Sequence, residues 1–205
     1  MKTMICIGDS LTEGADIVKE YRWPQRVGNA LAMNVTNQGI GGDTTQGMLS
    51  RFSSGVLVKK PEFVLILGGT NDLWWGLEVN TTLGNLFSMV FQARHYGIVP
   101  ILGLPMPVNI DTARKNDFSP PWGGYEQLVK EMTKLVDKLS FYANESEVVT
   151  IDLHKPFFDA RQKIRQDLFQ PDGLHPNRSG HRVISNSMVT TFQGQLSFYT
   201  MQPHR

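Results

Sequence analysis

Four apolar runs constrain this chain more than any other feature: "MICI" (4–7), "FVLIL" (63–67), "IVPILGL" (98–104) and "VVTIDL" (148–153). Each is too short for a core helix. Continuous Val/Ile/Leu runs of this length are what a strand presents when both its faces are buried, and such strands belong to parallel sheets. "MNVTNQG" (33–39) is a fifth and weaker candidate. Parallel neighbours need crossover connections, and the intervening stretches are long enough to supply helices. Helices are expected over 23–32, with Pro24 tolerated in the first turn, over 44–59, weakened by Gly47 and Gly55, and over 83–95, 125–142 and 177–193. The fourth is the clearest, with Leu128, Met132, Leu135 and Leu139 on one stripe. A short extra helix is expected over 157–165. This alternation predicts an α/β fold with helices on both faces of a parallel sheet. No repeat, low-complexity tract or linker interrupts the chain, so residues 1–205 are expected to form a single domain, with "DFSPPWGG" (117–124) as a surface loop.

Composition narrows the function classes. Hydrophobic residues make up 40% of the 205 and charged residues 19%, enough for a sizeable core and too apolar for disorder. A net charge of +1 gives no electrostatic footprint for nucleic acid or an anionic membrane. The single cysteine, Cys6, lies in the first strand and reads as a small buried apolar residue. No run approaches the roughly 20 apolar residues of a membrane span. The apolar stretch before Gly8 is too short for a signal-peptide core. The chain is therefore expected to be soluble and cytoplasmic, without stable membrane association.

In open α/β sheets, ligands gather outside the carboxyl ends of the strands, where strand order reverses. Four short stretches follow strands or precede the last helix, and each carries chemistry. "IGDSL" places Ser10 just past the first strand, where it is either a helix cap or a nucleophile awaiting a base. "NQGIGGDTT" (37–45) is rich in glycine, and a bare N–H from Gly42 can stabilise developing negative charge; Asp43 or Thr44 is a candidate cap. It lacks the spacing of a dinucleotide fingerprint. "LGGTNDL" (67–73) offers the neutral amide of Asn71 as a donor, with Asp72 as a candidate cap. "PDGLHPN" (171–177) puts Asp172 three residues before His175, a spacing that brings a carboxylate onto an imidazole in a turn and leaves Nε2 free to take a proton. Asp152 and His154 in "IDLHKP" are a rival pair. Two apart in extended chain, they share a face but are stretched along it. His181 is expected on the surface of the last helix.

Together the four stretches supply one nucleophile, one base, one orienting carboxylate and the donors of an oxyanion hole. A receiver-like or other non-catalytic binding domain is the rival class, but a receiver would need an acidic cluster after the first strand. A metal phosphoesterase would need more His and Asp ligands than the five scattered histidines suggest.

In these four blocks, Gly8-Asp9-Ser10-Leu11, Asn37 to Asp43, Gly69-Thr70-Asn71-Asp72 and Asp172 to Asn177, the sequence resembles the SGNH (GDSL) hydrolases. The blocks stand in the family's order and span most of the chain. The resemblance implies a flavodoxin-like three-layer α/β/α sandwich with a five-stranded parallel sheet in the order 2-1-3-4-5. It implies that Ser10 is the nucleophile, Asp172 the orienting acid and His175 the base, with Ser10, Gly42 and Asn71 forming the oxyanion hole and no metal or cofactor needed. Gly41 stands where the family often has Ser or Ala. The implied activity is hydrolysis of a small-molecule carboxylic ester through an acyl-enzyme; family members include deacetylases, thioesterases, arylesterases and lysophospholipases.

Asp9 is expected to brace the serine turn. Trp74, Trp75 and Met106 are the candidate substrate-binding walls, favouring a short-chain or acetyl ester, on a carbohydrate for example. The tail "LSFYTMQPHR" (196–205) is aromatic enough to pack on another subunit or on its own core, which leaves a homo-oligomer open.

Overall fold

The computed structural model describes residues 1–116 and 119–195. The chain runs β1 (Thr3–Gly8), α1 (Ser10–Glu13), α2 (Trp23–Leu31), β2 (Asn34–Gly39), α3 (Thr45–Ser50), α4 (Phe52–Gly55), β3 (Phe63–Leu67) and α5 (Thr70–Trp74). It continues with α6 (Val79–His95), β4 (Val99–Leu104), α7 (Ile110–Ala113), α8 (Gly124–Glu145), β5 (Val149–Asp152) and α9 (Arg178–Gln195). The five strands form one parallel sheet in the order β2-β1-β3-β4-β5.

Alternation along the strands sorts the core into two layers. Met4, Cys6, Leu65 and Ile101 face α2 and α9, meeting Trp23, Val27, Ile184 and Met188. Ile5, Ile7, Val64, Ile66 and Leu102 face α3, α6 and α8, meeting Met48, Leu86, Met89 and Leu135. Each of these buried aliphatic side chains contributes roughly 1.5–3 kcal/mol of burial. The α8 stripe is buried throughout, whereas edge strand β2 stays largely half-exposed or exposed, which is why its sequence is the least apolar of the five.

Two expected helices are corrected. Residues 44–59 form not one helix but α3, α4 and a 3₁₀ turn over Leu57–Lys59. The break falls at Arg51, whose backbone leaves helical geometry (ψ 3°) while its guanidinium binds the Asp43 carboxylate and the Gly8 carbonyl. Residues 157–165 do not form a helix of their own: Phe157 closes a 3₁₀ turn over Lys155–Phe157, and the rest is non-helical. The Asp159 carboxylate accepts from the N–H groups of Arg161 and Lys163, and Phe158 bridges Ile164 in an antiparallel turn. A short acidic side chain has here competed with the helix for backbone donors. The tail 196–205 lies outside the described residues. Among the described residues, no helix is long and apolar enough to cross a membrane.

The register places the working end. Gly8, the last residue of β1, is level with Gly39 of β2 and Leu67 of β3. The loops leaving these three strands therefore rise side by side. β1 stands where the sheet order reverses, the position at which such sheets bind ligands.

Candidate active site

Ser10 opens α1, two residues past the end of β1. Asp9 is the N-cap: its Oδ1 accepts the Leu11 N–H at 2.9 Å, so the brace expected of Asp9 is made by its own side chain. The chain then turns out of α1 at Gly14, whose N–H returns to the Ser10 carbonyl. Ser10 is half-buried, and its N–H stands in the first turn, where no intrahelical acceptor exists.

His175 reaches Ser10 from the far end of the chain. Its Nε2 lies 2.9 Å from Ser10 Oγ, and its Nδ1 lies 2.6 Å from Asp172 Oδ2. Asp172 Oδ1 also accepts the N–H groups of Leu174 (2.8 Å) and His175 (3.0 Å). One carboxylate thus fixes both the turn and the ring. The turn is fastened from several sides. Asn109 N–H donates to the Gly173 carbonyl, Asn116 Nδ2 to the Asp172 carbonyl, and Gln170 Nε2 to the Ala15 carbonyl at 3.0 Å. The last bond ties the histidine turn to the segment that follows the serine turn.

The electrostatics follow from these contacts. Burial pushes the Asp172 carboxyl up, but the His175 ring and the two backbone donors outweigh it and hold the group below its ordinary value. The Asp172 hydrogen bond raises the His175 pKa above 6.5; burial opposes it, and the charges of Asp172, Asp9 and Asp16 add to it. Asp9 is almost fully buried, and desolvation pushes its pKa up to about 7 against the Leu11 N–H and the His175 charge.

The oxyanion candidates sit around the same hydroxyl. Gly42 has φ +77°, a conformation that favours glycine. Among the described residues, neither the Gly42 nor the Ser10 N–H has a hydrogen-bond partner. Asn71 opens differently from the expectation. Its Nδ2 donates to the Asp43 carbonyl at 2.9 Å and faces Asp9 Oδ2 at 3.4 Å. One amide proton is well held, and the other only loosely, since 3.4 Å is long for such a bond.

The remaining candidates separate. Asp72 does not cap its own helix; it accepts the Thr45 N–H (2.9 Å) and hydroxyl (2.5 Å) and so anchors the start of α3, whose N-cap is Thr44. Asp152 accepts the backbone N–H groups of His154 and Lys155, while the His154 ring turns away to the Pro105 carbonyl. His181 is not on the helix surface. It is fully buried, its Nδ1 accepts the Trp23 N–H at 3.1 Å, and burial, helped by Arg22 and Arg26, lowers its pKa to about 4. Met106 is not a substrate wall. It is buried in the α2/α9 layer with Leu153 and Phe157, because an apolar residue just past β4 finds the core before it finds a ligand. Trp74 packs edge-on against Tyr125 at 6.0 Å, and Trp75 is exposed.

Sequence reasoning missed the supports: the Arg51–Asp43 ion pair (2.8 Å), the Gln170–Ala15 tie and the Asp9–Asn71 contact. Each joins residues too distant in sequence for any spacing rule to find.

A parallel 2-1-3-4-5 sheet with a serine, histidine and aspartate in hydrogen-bonded series at its carboxyl end defines an acyl-hydrolase class of protein. The chain belongs to the GDSL-like lipase/acylhydrolase family, carboxylic ester hydrolases, whose family model matches residues 6–183. It is similar to esterase TesA of Pseudomonas aeruginosa, 29% identical over 92% of this chain and 87% of that one. It is also similar to thioesterase 1/protease 1/lysophospholipase L1 of Escherichia coli K12, 26% identical over 93% and 83%. A solved lipase/acylhydrolase from Enterococcus faecalis shares the fold with a TM-score of 0.78, at 24% identity over the whole of both chains.

Proposed function

We propose that this enzyme hydrolyses short-chain or acetyl esters through an acyl-enzyme on Ser10. The observation that carries the reading is the unbroken series Asp172 Oδ2, His175 Nδ1, His175 Nε2, Ser10 Oγ, at 2.6 and 2.9 Å. A serine hydroxyl is a weak nucleophile until a base takes its proton, and this series supplies the base, the tautomer and the charge that steadies the resulting imidazolium.

In the first half-reaction, Ser10 Oγ bonds to the ester carbonyl carbon as its proton passes to His175 Nε2. The carbonyl oxygen becomes an oxyanion, received by the N–H groups of Ser10 and Gly42 and by the loosely held proton of Asn71. When the C–O bond to the alcohol breaks, His175 returns the proton to the leaving oxygen. In the second half, His175 takes a proton from water as it attacks the acyl-Ser10 carbon; the bond from that carbon to Ser10 Oγ breaks, His175 returns the proton to Oγ, and the acid departs. The open N–H of Gly42 supports its role as donor, and the fixed Asp43 carbonyl bond of Asn71 supports a preset orientation of that amide.

A fluorophosphonate probe tests the assignment. One adduct is expected, on Ser10, and none on the Ser10→Ala protein; an adduct elsewhere, or undiminished ester hydrolysis by Ser10→Ala, overturns it. The Escherichia coli relative's name includes thioesterase and lysophospholipase activities. A panel of acetyl to lauroyl oxygen esters, thioesters and a lysophospholipid ranks these alternatives, with the acetyl and other short oxygen esters expected to react fastest.

A further inference from the structure

The outer face of α6 and α8 carries a chain of aromatic rings in water. Phe91 of α6 lies 6.1 Å from Phe87, Phe87 lies 6.4 Å from Tyr142 of α8, and Tyr142 lies 5.1 Å from Phe141, centroid to centroid. All three spacings are those of rings in contact. Phe91 is 55% exposed, Phe141 59% and Tyr142 47%. At about 200 Å² per ring, these three leave roughly 300 Å² of joined apolar surface in solvent, the size at which a patch on a monomer is often functional. A second oddity lies on the same stripe of α6. Gly84 stands one turn before Phe87 and two before Phe91, exposed in the helix interior, and a Cβ added there meets nothing within 4 Å. Glycine weakens a helix, and no contact among the described residues requires it at this position.

The patch is remote from the candidate triad. α6 runs from the carboxyl end of β3 to the amino end of β4, and α8 from the carboxyl end of β4 to the amino end of β5. Their last turns therefore descend together toward the amino ends of the strands. There Arg94 Nη2 of α6 donates to the Ser146 and Glu147 carbonyls just past α8, at 2.7 and 2.9 Å. Phe91, Phe141 and Tyr142 occupy these lower halves, whereas Ser10 and His175 meet at the carboxyl end of the sheet.

We propose that the α6/α8 face is a homodimer interface, covered by a second copy of this chain related by a twofold axis; the proposal does not depend on the ester-hydrolase reading. The bordering charges choose the occupant. On α8, Asp137, Lys138 and Glu145 flank Phe141 at three and four residues, and on α6 Arg94 follows Phe91 by three, so all four border the rings. Among the described residues none of the four makes an ion pair. Lys138 Nζ reaches Asn80 Oδ1, and Arg94 reaches only carbonyls. Two cations and two carboxylates around one apolar patch are self-complementary, because a twofold rotation sets each sign against the other. An anionic membrane calls for an excess of cations instead. The area agrees. Doubled by the axis, the patch supplies about 600 Å², roughly the apolar half of an interface of about 1,200 Å², the lower limit for specific association. Gly84 leaves the partner room to approach the α6 backbone. Both Ser10 sites stay open in such a dimer.

Sedimentation equilibrium of the full chain from about 1 to 100 µM, a range that brackets a micromolar Kd, tests the face. The wild type is expected to move from one chain mass toward two as concentration rises. Phe91→Glu buries an unpaired carboxylate from each copy at the centre of the interface and is expected to weaken dimerisation by about 100-fold. Phe141→Glu, on the other helix, is expected to act alike. Gly84→Gln favours the helix, so it is expected to weaken the dimer while raising the melting temperature of the dilute protein. That pairing of effects separates an interface from a folding defect. Any ester hydrolysis shown by the wild type is expected to persist in all three variants, since the patch touches no group of the candidate triad. A wild type that stays monomeric through this range overturns the interface, as does a dimer unmoved by all three substitutions. Binding to phosphatidylcholine/phosphatidylglycerol vesicles that is lost in Phe91→Glu, with no dimer in solution, makes the face a lipid-binding one and refutes the proposal. If the wild type cleaves no ester, the esterase reading fails while sedimentation still judges the interface.

Discussion

Two Asp–His pairs stand at the carboxyl end of this sheet, and they are built alike up to one residue. In each, the aspartate Oδ1 accepts two backbone N–H groups from the turn that follows it. In Asp152–His154 the histidine comes at the second position, and its ring points away to a carbonyl. In Asp172–His175 it comes at the third, and the ring folds back onto the free Oδ2. A single residue of spacing separates a structural cap from a candidate catalytic pair. The second pair gains a partner for Nε2 as well, because the Gln170–Ala15 bond holds its turn against the segment that follows Ser10.

The sharpest way to break the comparison is to remove each histidine. His175→Ala is expected to lower kcat on a short ester by up to about 10⁶-fold, as loss of a triad base does in serine hydrolases, whereas His154→Ala stays within a few-fold. Equal losses would erase the distinction. The aspartates come next. Asp172→Asn is expected to cost about 10⁴-fold, through the wrong imidazole tautomer, and Asp152→Asn little. Kinetics in which Asp152→Asn disables the enzyme and Asp172→Asn does not would exchange the two assignments. Asn71→Ala is expected to lose roughly 10²–10³-fold in kcat, the scale of one oxyanion donor.

Titration sharpens the same contrast. His175 must be neutral to accept a proton, and Asp172 raises its pKa, so activity should climb with pH through a midpoint above 6.5. In Asp172→Asn the residual activity should rise at lower pH, because the stabilising charge has gone. A flat profile between about pH 5 and 8 would remove His175 as the base. The smallest effect is structural. Asp152→Ala deletes a carboxylate that caps two backbone donors, and a thermal scan should show a loss of about 1 kcal/mol, or roughly 2–4 °C, with kinetics intact.

Much of this was legible beforehand because the relevant physics is local. Strand β3 was readable to the residue, since a doubly buried strand must be apolar throughout. The Asp172–His175 contact was readable because turn geometry sets it. The breaks at Arg51 and over 157–165 were not, since each depends on a side chain capturing backbone or charge that a periodicity count ignores. Met106 and His181 failed for a common reason: a residue's type does not say whether the surface it meets is solvent or another layer, and here both met α2 or its neighbours. The Asp9–Asn71 contact lies 62 residues apart in sequence and needed the level strand ends to become visible.

His175, the proposed base, stands 165 residues after Ser10, the proposed nucleophile. At synthesis rates of about 5–20 residues per second, the serine leaves the ribosome roughly 8–30 seconds before the histidine exists. On the proposed mechanism, the hydroxyl stays as inert as any other until the turn that carries His175 docks, so a nascent chain, or one terminated before His175, does not cleave esters.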